Sequence, residues 1–270
     1  MRIDYHMHTP LCHHAVGAPE EYVAAAAAAG VAEICFTCHS PMPDWFDQWP
    51  RMSRRELPTY LQLIRAAQAP EVSEAHGVRV RLGIEADFFP GTEEYVREML
   101  AAHPFDFVLG SVHIQNPNYQ DRLRALGAVT DAAKVDVYFE EIAAAAATGL
   151  FDSISHPDLV KLLVTFDPLA HESRIRAALK AIRTAGICLE VNTSGRRRPF
   201  AETYPSTTIL RWAVEEGLPL TFGSDAHAPE QLGHAWEETC RDLIALGVTH
   251  LHRFEGRRRI PVPLLETKAP

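Results

Sequence analysis

Residues 78–113 read VRVRLGIEADFFPGTEEYVREMLAAHPFDFVLGSVH. An apolar run, Val78–Ile84, breaks off at Glu85. After Gly91 a stretch of helical character, TEEYVREMLAAH, leads to a second apolar run, Phe105–Ser111, followed by His113. Strand, helix and strand in this order read as a βα unit feeding a parallel neighbour. Each strand gives way to an ionisable residue, a carboxylate in one case and an imidazole in the other.

The pattern recurs on both sides. Upstream, strands are predicted over Arg2–His6, followed by His8, and over Ala32–Thr37, followed by His39. Downstream they are predicted over Phe151–Ser155 before His156, Ile187–Asn192, and Leu218–Gly223 before Asp225 and His227. Helical stretches separate them, from Pro19 to Gly30, from Arg54 to an interruption at Pro70, from Asp131, from Pro168 to Gly186, from Pro205 to Gly217 and from Glu230 to Leu246. An eighth short run, His250–Phe254, has no helix after it. Closing such units into an α/β barrel gathers the strand ends on one face, so residues far apart in sequence share a pocket. A single domain spanning residues 1–270 is expected.

Composition fits that reading. Of 270 residues, 47% are hydrophobic and 23% charged, enough apolar character for a full globular core. The net charge of −9 argues against a nucleic-acid-tracking surface. A secretion signal or a bilayer-spanning run is not apparent, and a cytoplasmic location with no membrane partner is expected. The five cysteines are an odd count and read as free thiols. Cys35 and Cys38 form a C-x-x-C, but positions three apart on a strand point to opposite faces, which does not suit a redox pair.

The strand-end residues suggest a chemistry. His6 and His8 flank Met7 and share one side of a strand. The stretch PLCHHAV adds His14, with His13 read as solvent-facing. In GSDAH, Gly223 and Ser224 are expected to let the strand end turn sharply, while Asp225 and His227 supply an oxygen and a nitrogen. Glu85 follows an apolar run, where a buried carboxylate needs a metal or a basic partner, and Asp87 shares its face. One histidine of the His113 or His156 kind is ordinary core material; the set at equivalent places reads as a nitrogen and oxygen cage for divalent metals. The polar segment 114–130 reads either as a lid or substrate loop or as a structural insertion.

In order along the chain, HMHTPLCHHA, FTCHSPMP, GIEADFFPG, FDFVLGSVH, ISHPDL, EVNTSGRRRP and FGSDAH resemble the polymerase and histidinol phosphatase (PHP) superfamily of metal-dependent phosphoesterases, in its histidinol-phosphate phosphatase branch. The resemblance covers almost the whole chain. It implies a distorted (β/α)7 TIM-like barrel with three divalent ions, Zn, Mn or Fe, at the carboxyl ends of the strands. By motif, one ion takes His6, His8, Glu85 and Asp225, a second Glu85, His113 and His156, and a third His14, His39 and His227. The resemblance also makes Asp225, Glu85 and His227 the catalytic residues and Arg197 and Lys161 the substrate-binding cations. One position departs: Cys38 stands where the family usually has an aspartate, which bears on how the metal site is supported.

The implied reaction is hydrolysis of L-histidinol phosphate to L-histidinol and phosphate in histidine biosynthesis, on a small-molecule monoester. Three divalent ions outweigh two carboxylates and a bridging hydroxide, leaving a net charge of about +3 for a phosphate dianion. An Arg fork at Arg197 suits phosphate oxygens; Arg196, Arg198 and Arg257–Arg259 read as solvated. Trp45, Phe46 and Trp49 form either a wall for the histidinol end or a hydrophobic plug. Alternative readings are a PHP-type phosphoesterase acting on a nucleotide phosphate or phosphotyrosine, and a non-catalytic metal-binding module. In the latter, ligand positions are often lost, whereas here each aligned position is filled.

Overall fold

Seven strands hydrogen-bond in chain order, all parallel: β1 (Arg2–Asp4), β2 (Val31–Phe36), β3 (Arg79–Asp87), β4 (Phe107–Ser111), β5 (Ser153–Ile154), β6 (Cys188–Asn192) and β7 (Leu220–Gly223). The computed structural model describes residues 1–46, 49–127 and 129–264. The sheet curls until its ends meet. Tyr5 N donates to Phe222 O at 2.9 Å, and beyond β1 and β7 the residues Met7 and Ala226 form a parallel bridge. The expected α/β barrel is therefore present, nearly closed by seven strands.

Helices cross between the strands: α1 (Pro19–Ala28), α2 (Leu57–Ala67), the short α3 (Pro70–Ser73), α4 (Glu93–Ala101), α5 (Pro117–Ala125), α6 (Asp131–Ala147), α7 (Glu172–Ala185), α8 (Thr207–Glu215) and α9 (Trp236–Ala245). Pro19 and the acidic pair Glu20 and Glu21 start α1, where a missing N–H costs nothing and negative charge meets the helix dipole. Pro70 divides α2 from α3 as its sequence suggests. The last helix is shorter than expected. Gly233 and Ala235 take φ of 65° and 56°, so the chain turns before Trp236 can begin α9.

Two regions add detail to the sequence reading. Of segment 114–130, residues 117–125 form α5, which docks on α6: Tyr119 is buried with its hydroxyl on Lys134 O, and Arg122 pairs with Glu140 and Glu141. Residues 117–125 are thus packed structure, while Ile114, Gln115 and Asn116 face the carboxyl end of the barrel. The eighth run becomes β8 (His250–Glu255), paired antiparallel with β9 (Arg258–Pro263). Gly256 and Arg257 join them with φ of 54° and 64°, the backbone of a type I′ hairpin turn.

The hairpin closes the amino-terminal end of the barrel. Phe254 is buried against Phe107 and Tyr5, with ring centroids 4.6 and 6.0 Å away. Around them the fully buried Glu33 is compensated by the Tyr5 hydroxyl and by Arg79, Arg81 and Arg253. Arg257 and Arg259 are thus not simply solvated, although both are exposed. Arg257 pairs with Asp152 at 3.0 Å and donates to Leu150 O, and Arg259 donates to Gly186 O, tying the hairpin to the barrel rim.

Candidate metal centre

The opposite end of the barrel collects the strand-end residues. Glu85, near the end of β3, is fully buried at the middle of the group. Its Oε2 faces His6 Nε2 at 3.5 Å, His8 Nε2 at 3.7 Å and His39 Nδ1 at 2.8 Å. Its Oε1 faces His113 Nε2 at 3.5 Å and His156 Nε2 at 3.2 Å. Asp225 Oδ1 lies 3.7 Å from His6 Nε2 and 3.3 Å from His8 Nε2. His14 and His227 bring their Nε2 atoms within 2.9 Å, and the His39 ring centroid lies 5.4 Å from that of His14. All nine residues expected as ligands converge on one pocket. His13 does not; it is exposed, with Nδ1 2.9 Å from Trp49 O.

The charges are strongly coupled. Burial would raise the Glu85 pKa, yet the imidazoles of His39, His6 and His113 hold it well below the carboxylate range. Asp225, which is partly exposed, is held well below the carboxylate range by His6, His8 and His227. Burial pulls His39 down to about 4 and His227 down to about 3, so both are neutral near pH 7. Against its own burial, His8 is pushed up to about 9 by Asp225 and Cys12.

The donor set fits metal ions. His6 Nε2, His8 Nε2, His39 Nδ1 and Glu85 Oε2 are buried without a well-directed hydrogen bond, even though His39 Nδ1 and Glu85 Oε2 lie 2.8 Å apart, an arrangement that is costly for polar atoms unless something binds them together. Donor atoms of His6, His8 and Asp225 lie within 4.8 Å of one another, as do those of His8, His39 and His227. Outer partners hold the rings as in metal sites. Glu190 Oε1 is 2.6 Å from His6 Nδ1, Asp87 Oδ1 is 2.5 Å from His113 Nδ1, and Cys12 O is 2.6 Å from His14 Nδ1. Asp87 is in turn paired with the buried Arg51.

Some of this lay outside the sequence reading. Glu190 also accepts from the His156 backbone N–H at 2.8 Å, so one carboxylate holds two ligand-bearing segments. Its signal was present, because a carboxylate between Leu189 and Val191 faces the same burial cost that singled out Glu85. Gly223 serves closeness rather than turning: a Cβ there would sit 2.1 Å from Glu190 Oε1 and 2.6 Å from the His6 Cβ. The left-handed turn falls on Asp225 itself, at φ 52°. At the family's aspartate position, Cys38 is buried and accepts from the Thr9 hydroxyl at 3.2 Å. Its sulfur, the Cys12 sulfur and a His8 ring nitrogen lie within 4.8 Å of one another, so thiols border the centre.

The centre opens into a cavity of about 300 Å³. Phe46, Trp49, Arg51, Asn116 and Arg198 line it, and Trp49 stacks on His14 with ring centroids 5.9 Å apart. Trp45 packs instead against Phe46 and Phe89. The cations expected to bind substrate are elsewhere. Arg197 donates to the backbone carbonyls of Ser224 and Asp225 at 3.0–3.1 Å. Lys161 Nζ donates to Thr203 O at 2.6 Å and lies over the rings of Phe200 and Tyr204. Arg198, read from sequence as solvated, is the loop arginine that borders the cavity.

Fold and site together define a parallel α/β barrel that gathers candidate metal-binding imidazoles and carboxylates at the carboxyl ends of its strands. The PHP domain family model matches residues 4–194 and the PHP-associated model residues 207–245, and the chain belongs to the PHP family. It is 40% identical over 261 residues to a probable histidinol-phosphatase of Deinococcus radiodurans, covering 93% of this chain and 96% of the relative. It is 28% identical to the histidinol-phosphatase of Bacillus subtilis, over 87% of this chain and 96% of the relative. Among solved structures, histidinol phosphate phosphatase from Lactococcus lactis, complexed with zinc, L-histidinol and phosphate, superposes with a TM-score of 0.82. That likeness covers 96% of this chain and 98% of the other at 22% identity, and shows a shared fold.

Proposed function

We propose that this protein is a metal-dependent phosphomonoesterase that hydrolyses L-histidinol phosphate to L-histidinol and phosphate in histidine biosynthesis. The convergence of partnerless buried imidazole and carboxylate atoms around Glu85 carries the chemistry. The substrate follows from the near full-length likeness to relatives named for that reaction. Residues 1–270 are read as one domain, because strands drawn from residues 2 to 223 close a single sheet. Five free, buried cysteines suit a reducing cytoplasm.

In this reading three divalent ions, Zn, Mn or Fe, are held by His6, His8, Glu85 and Asp225, by Glu85, His113 and His156, and by His14, His39 and His227. Once bound, they supply Lewis acidity and a hydroxide nucleophile near neutral pH. Glu85 turns one oxygen to each of two ligand sets and so fixes their separation. Asp225, tied to the end of β7, sets the charge beside His6 and His8. Glu190 and Asp87 orient His6 and His113, keeping the ligating nitrogens aimed inward. His227 stays neutral and keeps a lone pair for binding. At the mouth, Arg198 offers a planar fork to phosphate oxygens, and Phe46 and Trp49 exclude water from one side.

Asp225→Asn and His156→Ala are the direct tests. Each is expected to retain a cooperative unfolding transition while losing nearly all phosphate release and part of its bound metal. Full turnover by purified Asp225→Asn would overturn the metal mechanism.

A further inference from the structure

The turn Leu159–Leu162 is a thin wall between two cavities. Leu159 and Leu162 line the metal pocket, whereas Asp158 and Lys161 face a second cavity of about 210 Å³ that reaches the start of α8. None of the nine metal-site residues lines this second space.

Its polar groups are only half used. Asp158 is fully buried. Its Oδ2 accepts from Ser206 N at 2.9 Å and from Lys161 Nζ at 3.3 Å, but its Oδ1 has no hydrogen-bond partner. Glu202 adds a second carboxylate and makes no ion pair among the described residues. At the other side, Ser206 precedes α8 without capping it, and its buried hydroxyl has no partner. Thr207 and Thr208, in the first turn of α8 where the N–H groups have no intrahelical partner, line the same cavity. Lys161 is not spare, being held by Thr203 O and Asp158.

A free carboxylate oxygen asks for a donor with positive charge, and a helix N-terminus with a hydroxyl asks for an anion. One small molecule bearing an ammonium and a carboxylate answers both demands, and Val164 and Phe166 offer its remaining group an apolar wall. We propose that this cavity binds a free α-amino acid with an apolar side chain. The ammonium meets Asp158 Oδ1 and Glu202, and the carboxylate meets the Ser206 hydroxyl and the α8 amides.

The test is calorimetric titration of the metal-loaded full chain with L-leucine, N-acetyl-L-leucine and L-leucinamide, repeated on Asp158→Asn and Thr207→Phe. Saturable leucine binding is expected, with both blocked analogues weaker by roughly tenfold or more. Asp158→Asn should weaken leucine by a similar factor. Thr207→Phe, at an exposed position, should obstruct the cavity while leaving the metal centre intact, so it remains decisive if Asp158→Asn fails to fold. Absence of leucine binding, equal binding of the N-acetyl compound, or leucine binding unchanged in Thr207→Phe would each overturn the proposal. The last result would place the leucine outside this cavity.

Discussion

Arg197 and Arg198 are adjacent in sequence and face different tasks. Arg197 clamps the carbonyls at the end of β7, beside Asp225, and Arg198 borders the cavity. With metal in excess, Arg198→Ala is expected to raise KM by roughly tenfold with little change in kcat, the signature of lost phosphate binding. Arg197→Ala is expected to weaken metal affinity by about 10–100-fold, as loss of a supporting contact does. Steady-state kinetics and competition with a chelator separate the two, and a pure KM effect in Arg197→Ala would restore its direct contact with substrate. The sequence reading took Arg197 rather than Arg198 for the substrate, because no local pattern shows that Thr193–Arg197 wind as a 3-10 helix and turn successive side chains in different directions. His8 carries a second prediction. Its pKa of about 9 in the metal-free protein means it is protonated near neutrality, whereas a ligand must be neutral. Metal affinity should therefore fall as pH drops below about 9, and binding at pH 7 should release protons. Mn titration calorimetry in buffers of different ionisation enthalpy measures this; heats independent of buffer would contradict it.

At the scale of elements, the barrel strands were legible because apolar runs and helical stretches alternate regularly, and every strand end except that of β6 declares itself with an ionisable residue. The β8–β9 hairpin was not legible as a floor. Nothing local in HLHRFE reveals that Phe254 will lie between Tyr5 and Phe107, which stand 249 and 147 positions upstream. The same holds for α5, whose docking depends on Arg122 meeting Glu140 and Glu141 across a turn. Phe254→Ala removes a buried aromatic and is expected to cost about 3–5 kcal/mol. Urea unfolding reads that loss, while metal content per folded molecule should be unchanged, because the hairpin sits at the end away from the site. A loss below about 1 kcal/mol would show that the floor contributes little to holding the barrel.

For the whole molecule, the convergence of the proposed ligands follows from where a closed parallel barrel delivers its strand ends, and the motifs from His6 to His227 pointed to those positions. Outer support was less visible. Glu190, on β6, reaches His6 from β1 only because the room left by Gly223 on β7 lets three strands approach, a relation of closure that no local pattern contains. The proposed function rests on the same closure, since the proposed metal ligands come from all but one of the barrel strands and their following loops. The central claim is that this centre hydrolyses L-histidinol phosphate. Phosphate release should be measured for the metal-loaded protein with L-histidinol phosphate beside nucleotide monophosphates, phosphotyrosine and simple alkyl phosphates. A kcat/KM for L-histidinol phosphate at least about 100-fold above the others is predicted. Comparable slow turnover of every ester, or faster turnover of another, would contradict the assignment.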